Sequence, residues 1–248
     1  MAEYTHDKVV PFKDSDLGKK QQVAAMFDRI AFRYDFLNRF LSGGIDIYWR
    51  RRAIRELSAL QPKYILDVAT GTADMAIFMT RYLSPEKITG IDISTGMLEI
   101  GRQKIARHQL DGKIELQEGD SENIQAPDNT FDAITVAFGV RNFENLEKGL
   151  REMLRVLKPG GRLVILEFSH PRTAGVRQLY NLYLNIVAPR IGKIFSHSGE
   201  AYQYLNDSVK AFPEGQALVQ ILDKNGYTHT RLKRLSLGIC SIYTGEKG

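Results

Sequence analysis

Residues 64–74 read Tyr-Ile-Leu-Asp-Val-Ala-Thr-Gly-Thr-Ala-Asp, and residues 87–92 read Lys-Ile-Thr-Gly-Ile-Asp. The apolar run 64–68 is short, carries β-branched and aromatic residues, and leads into a tight turn at Gly71, so it predicts a buried strand. Met75, Ile77, Phe78, Met79 and Tyr82 recur as they would along one buried side of a helix, which predicts a helix over 74–82. Residues 88–93 form a second apolar run, with Asp92 near its carboxyl end. Strand, turn, helix and strand within roughly thirty residues make a βαβ unit, and that unit requires parallel strands.

Open parallel sheets take ligands outside the carboxyl ends of their strands. Asp67, Gly71, Thr72 and Asp92 are expected there. An acid about 20 residues past the turn commonly holds a ribose hydroxyl pair. The phosphate fingerprint G-x-G-x-x-G is absent, because the turn 69–74 carries only Gly71. Asp74 falls at the helix start, where it would repel a pyrophosphate. A ligand with ribose but no phosphate fits this turn, and S-adenosylmethionine is such a molecule. Asp67 is expected to face its cationic end. Local turn capping by Asp67 and Asp92 is the plainer alternative.

The 248 residues, 43% of them hydrophobic, suit one elaborated α/β domain with a full core. The one cysteine, Cys240, excludes an internal disulfide framework and a multi-cysteine metal site. A reducing, cytoplasmic setting without a metal is therefore expected. The sequence does not open on a basic-then-apolar signal pattern, and no run approaches the ~18 apolar residues of a membrane span. The formal net charge of +5 is a mild excess that suits an anionic surface, such as lipid headgroups or nucleic acid.

Residues 1–20 are polar and mix lysines with acids, which predicts a mobile N-terminal arm. From residue 21 a helical period sets in. Val23, Met26, Phe27, Ile30, Tyr34 and Leu37 mark one face, for core packing or for a lid, and Phe32, Phe36 and Phe40 lie off it. A second helix over 46–57 completes an N-terminal cap, residues 21–60. Its run Arg50-Arg51-Arg52 reads as a solvated face or a lipid contact.

Beyond Asp92 the elements alternate. A Ser94-capped helix over 94–107 precedes a strand over 113–117, which runs into the acidic turn Gly119-Asp120-Ser121-Glu122. Asp120 is expected to accept from an adenine amino group, with the Ser121 backbone N–H beside it; an Asx turn is the alternative. A fourth strand covers 131–137. Leu146, Leu150, Met153 and Leu154 mark the next helix, and a fifth strand covers 162–168. Arg141 and Asn142 fall at the carboxyl end of the fourth strand, on the substrate side. Residues 171–212 read as a substrate-side insert. Its apolar helix around 179–187 suits a greasy substrate, or only packs. A helix over 214–224 and a hairpin of 227–235 with 239–245 close the chain.

These elements compose a Rossmann-like, doubly wound α/β fold over residues 21–248. Its seven-stranded sheet is mostly parallel and ends in an antiparallel hairpin, the usual architecture of class I S-adenosylmethionine methyltransferases.

Two stretches are more specific. Residues 34–42, Tyr-Asp-Phe-Leu-Asn-Arg-Phe-Leu-Ser, running on to Trp49, resemble the N-terminal signature of the UbiE family of quinone-biosynthesis C-methyltransferases. Residues 155–169, Arg-Val-Leu-Lys-Pro-Gly-Gly-Arg-Leu-Val-Ile-Leu-Glu-Phe-Ser, resemble that family's second signature, and Phe138-Gly139-Val140-Arg141-Asn142 is similar to a further motif. The resemblance extends over the chain after about residue 20. It implies methylation of a ring carbon of a polyprenylated quinol, with demethylmenaquinol in menaquinone synthesis preferred to the benzoquinol of ubiquinone synthesis. It also implies cofactor contacts at Thr72, Asp92, Asp120 and Ser121. The chain departs from the family pattern in carrying Asp46 where many members have His, Thr70 and Ala73 where glycines are common, and Ala137 where a Ser occurs. No catalytic base is therefore assigned to residue 46, and no cofactor contact to residue 137.

For in-line methyl transfer the quinone must be reduced, since a quinol or its phenolate puts electron density on the ring carbon. Arg141 is expected to stabilise the developing phenolate and Asn142 to orient the ring, with Tyr34 and Asp35 on the other side of the substrate. The prenyl tail is expected to be met at an anionic membrane surface, through residues 177–195 and the N-terminal helix. A homodimer is compatible with the chain. Nucleic acid is not an expected partner. Amino-group methylation of bases usually needs an Asn/Asp-Pro-Pro-aromatic tetrad, and residues 137–140 read Ala-Phe-Gly-Val. Pyrimidine C5 methylation usually needs a nucleophilic cysteine near the cleft, and Cys240 falls in the terminal hairpin.

Overall fold

The computed structural model describes residues 4–171, 175, 178 and 199–248. Two helices, α1 (Lys19–Leu41) and α2 (Ile45–Arg55), precede the sheet. Then follow β1 (Tyr64–Val68), α3 (Asp74–Tyr82), β2 (Lys87–Asp92), α4 (Thr95–Arg107), β3 (Ile114–Glu118) and β4 (Phe131–Ala137). α5 (Leu146–Val156), β5 (Leu157–Phe168), α6 (Gly199–Ala211), α7 (Gln216–Lys224), β6 (Tyr227–Leu235) and β7 (Cys240–Lys247) complete the described elements.

The strand order is β3-β2-β1-β4-β5-β7-β6. β7 runs antiparallel to both neighbours, and the other pairs are parallel. From β1 the chain steps outward through β2 and β3, then returns to lay β4 on the other side of β1. The carboxyl ends of β1 and β4 therefore part, and a crevice opens between them.

Strand residues alternate between two cores. Ile65, Ala133, Val164 and Leu166 face the layer that holds α2, α3 and α4. Leu66, Ile134, Leu163 and Ile165 face α5 and α7. In α5, Leu146, Leu150 and Met153 follow the helical repeat and are sealed from solvent. Each such side chain contributes roughly 1.5–3 kcal/mol relative to an exposed one.

Three features differ from the expectations. The N-terminal arm is docked from residue 4 onward: Tyr4 Oη donates to Glu147 Oε1 at 2.8 Å, and Lys19 Nζ donates to the His6 carbonyl at 2.7 Å. His6 is fully buried and meets Phe212 edge-on at 5.3 Å. A polar composition hid these long-range ties. Next, β5 starts at Leu157 rather than Arg162, because Leu157 already pairs with Phe131 ahead of a register shift. Finally, the run Arg50-Arg51-Arg52 is not one solvated face. Arg50 turns inward with Trp49, Ala53 and Ile54. The apolar helix expected around 179–187 lies outside the described residues, as does most of 171–212. Among the described residues no helix is long and apolar enough to cross a membrane.

Candidate active site

The turn between β1 and α3 has an unusual backbone. Ala69, Gly71 and Ala73 have φ of 53°, 56° and 64°. Left-handed backbone at two alanines is costly and tends to persist where function requires it. The turn leans on the end of β2: Thr70 N donates to Ile91 O at 3.0 Å, and Gly71 N donates to Asp92 Oδ2 at 2.8 Å. The other Asp92 oxygen accepts from Ser94 N at 2.9 Å. Each oxygen keeps lone-pair capacity for a further donor. Burial pushes the Asp92 carboxyl up to about 6.

The crevice, with the solvent at its mouth included, spans about 660 Å3. Gly71, Asp92, Asp120 and Ser121 line it together with Tyr34, Phe138, Asn142 and Phe143. A Cβ added to Gly71 would meet nothing within 4 Å, so the turn is open where it borders the crevice. Asp120 lines the crevice and makes the Asx turn, the plainer of its two expected roles. Its Oδ1 accepts from Glu122 N at 2.9 Å in an Asx turn, and its Oδ2 is held by Lys20 Nζ at 2.7 Å. Lys20, not expected from the sequence, opens α1 and also reaches Glu122 at 2.9 Å.

Other expected residues do not line the crevice. Asp67 points into the sheet, where its carboxylate accepts from Thr135 Oγ1 at 2.5 Å and Thr70 Oγ1 at 2.6 Å. It ties the turn to β4 instead of facing a ligand's cationic end, and burial pushes its carboxyl up to about 6. Thr72 Oγ1 donates to Asp35 Oδ1 at 2.6 Å. Lys104 donates to Asp35 Oδ2 at 2.8 Å and also binds Asp74, while Arg39 joins Asp46 at 2.7 Å to Asp74 at 3.2 Å. The Thr72 and Asp35 side chains thus belong to an ionic latch between α1 and the turn, not to the crevice wall.

Arg141 is also buried. Its Nη1 donates to Glu167 Oε1 at 2.8 Å and to the Phe138 carbonyl at 2.5 Å. In this structure the guanidinium props the Phe138 backbone, which has φ of 61°, and does not border the crevice. Its neighbour Asn142 does, and accepts from Tyr204 Oη at 3.1 Å. Burial raises the pKa of both Tyr34 and Tyr204, so each phenol stays a hydrogen-bond donor. Sequence reasoning missed Lys20, Glu167, Tyr204 and Arg50. For Arg50 the available signal was Asp46 four residues earlier, on the same face as Trp49 and Ala53. Cys240 is buried and its thiol pKa is pushed up, so it offers no nucleophile.

A crevice at the switch point, an acid closing β2 and a single-glycine turn that leaves no phosphate cradle together define a Rossmann-like methyltransferase site that takes S-adenosylmethionine. The ubiE/COQ5 methyltransferase family matches residues 15–247, and the chain belongs to that family. It is 46% identical to the demethylmenaquinone methyltransferase of Bacteroides fragilis, over 98% of this chain and 99% of that one. It is 48% identical to the ubiquinone/menaquinone biosynthesis C-methyltransferase UbiE of Geotalea daltonii, over 95% of this chain and 100% of that one. At the level of fold alone it is similar to a SAM-dependent methyltransferase of Thermotoga maritima, with a TM-score of 0.64, 18% identity, and coverage of 91% of this chain and 99% of that one.

Proposed function

We propose that the chain methylates a ring carbon of a polyprenylated quinol, with demethylmenaquinol as the substrate. The observation that carries this reading is a crevice whose lining joins the acids Asp92 and Asp120 to the aromatic side chains of Phe27, Tyr34, Phe138 and Phe143. Relatives named for demethylmenaquinone support the naphthoquinol. A second reading, the benzoquinol of ubiquinone synthesis, is favoured by the Geotalea relative, whose name covers both pathways.

Asp92 would hold the ribose hydroxyls and the Asp120–Ser121 turn the adenine. When bound, S-adenosylmethionine supplies an electrophilic methyl on a sulfonium. The chain's own contribution is orientation and exclusion of water. Asn142, fixed through its oxygen by Tyr204, has an amide nitrogen with no partner among the described residues, a donor for a quinol oxygen. Tyr34, kept protonated by burial, is a second donor on the crevice wall. Phe138 and Phe143 flank the flat ring. Arg141 acts as a positioning residue, through Phe138 and Glu167. The prenyl tail is met at a membrane surface by the exposed face of α1, at the inner side of the cell membrane.

The test is product analysis. Purified protein, S-adenosylmethionine and chemically reduced demethylmenaquinol should yield menaquinol by mass spectrometry. Turnover only on the benzoquinol would replace the substrate. Cofactor binding without turnover on either would support a scaffolding role instead.

A further inference from the structure

Arg50 is only 6% exposed, yet among the described residues its guanidinium makes no hydrogen bond. Nε and Nη1 are buried without a partner. Its one ion pair among the described residues is with Asp46 Oδ2, 3.8 Å away, which already accepts from Arg39 at 2.7 Å; Asp67 and Asp74 feel its charge from farther off. Burying a cation without satisfying its donors is strongly unfavourable, and each such donor calls for an explanation, a bound anion among them. The guanidinium stacks on Phe138, with Cζ 5.2 Å from the ring centroid. Phe138 lines the crevice, as does Tyr34, whose hydroxyl feels the Arg50 charge. The Asp67 carboxyl at the end of β1 feels the same charge. Arg50 therefore sits beside the carboxyl ends of β1 and β4.

The cofactor is two-ended. With its ribose on Asp92 and its adenine toward Asp120, the methionyl group extends the other way, toward the turn 69–73 and α2. That group carries an α-carboxylate, an anion for which the residues bordering the crevice offer no cation at that end. We infer that Arg50 binds the α-carboxylate of S-adenosylmethionine, a charge-assisted contact that completes its unsatisfied donors. The inference rests on the cofactor reading of the crevice and adds a residue to it.

Isothermal titration with S-adenosylmethionine and with its decarboxylated analogue separates the possibilities. Wild-type protein should bind the decarboxylated form about tenfold or more weakly. Arg50→Gln should weaken S-adenosylmethionine by a similar factor and leave the decarboxylated form unchanged, with Arg50→Lys in between. Equal binding of both ligands by wild-type protein would overturn the inference without any variant having to fold. So would an Arg50→Gln protein that weakens both ligands alike. Unchanged affinity with lost turnover in Arg50→Gln would overturn it too and move the residue to the substrate oxygen. Wild-type protein that binds neither ligand would sink the cofactor reading itself, a distinct result.

Discussion

Ala69 and Gly139 face each other across the crevice floor so closely that a Cβ on Gly139 would fall inside the contact radius of the Ala69 methyl. Gly139→Ala must displace one strand end, and overpacking of this kind costs about 1–3 kcal/mol. Ala69→Gly removes both the clash and the alanine's left-handed backbone. We expect Gly139→Ala to lower the melting temperature and the added Ala69→Gly to restore much of it; strictly additive effects of the two would sink this account. Asp92 makes a pH prediction. Its carboxyl is held up near 6 by burial, and ribose hydroxyls would donate to its ionised form. Cofactor affinity should therefore rise with pH up to about 6 and then level off, and Asp92→Asn should flatten the profile in titrations across that range. In the cofactor-free protein the sign reverses. Between 3.8 and about 6 the folded state keeps a proton that the unfolded chain has released, so this group's contribution to stability falls as pH rises. Asp92 and Gly71 were legible as residues of the crevice wall because backbone spacing alone delivers them. Asp67, Arg141 and Arg50 were not, because a side chain's role there depends on which partner reaches it first: two threonine hydroxyls, Glu167, and the Phe138 ring.

The elements were legible wherever burial dictates a period. Strands β1 and β4 and helix α3 match their expected ends, since an apolar run between polar turns has one way to pack in a two-sided sheet. The docking of α1 was less legible. Asp28 of α1 accepts from Ser94 Oγ at 2.6 Å and from Gly96 N at 2.9 Å, so it caps the start of α4 from another element. Ser94 in turn accepts from Met97 N at 3.2 Å. Sequence could identify Ser94 as a cap but not the acid from 66 residues earlier that completes it. An acid at a helix N-terminus is favourable both as a hydrogen-bond acceptor and against the helix dipole. Asp28→Ala should cost about 1 kcal/mol, typical for loss of a cap. Hydrogen exchange should speed up in α1 and the first turn of α4 before it does in the sheet. Uniform loss of protection would mean that α1 and the sheet open together.

At the scale of the whole molecule, a crevice for a greasy quinol has to communicate with the place where that quinol resides. α1 supplies a candidate surface on the outside of the fold. Phe32, Phe36 and Phe40 recur every four residues along it, and Phe32 is 88% exposed. The chain is basic, with a net charge of +5. Burying one phenylalanine side chain is worth roughly 1.5–3 kcal/mol, and each basic residue near an anionic leaflet adds about 1 kcal/mol. Neither alone anchors a protein, but together they would give reversible binding. Phe32→Asp should therefore lower partitioning onto anionic vesicles by about tenfold or more, converting the lower end of that burial energy. Because Phe32 lies outside the crevice, turnover of a short-tailed, water-soluble quinol should be unchanged, while turnover of a long-tailed quinol presented in vesicles should fall with the partitioning. If Phe32→Asp binds vesicles as wild-type protein does, α1 is not the membrane contact, and the quinol must be delivered to the crevice by another surface.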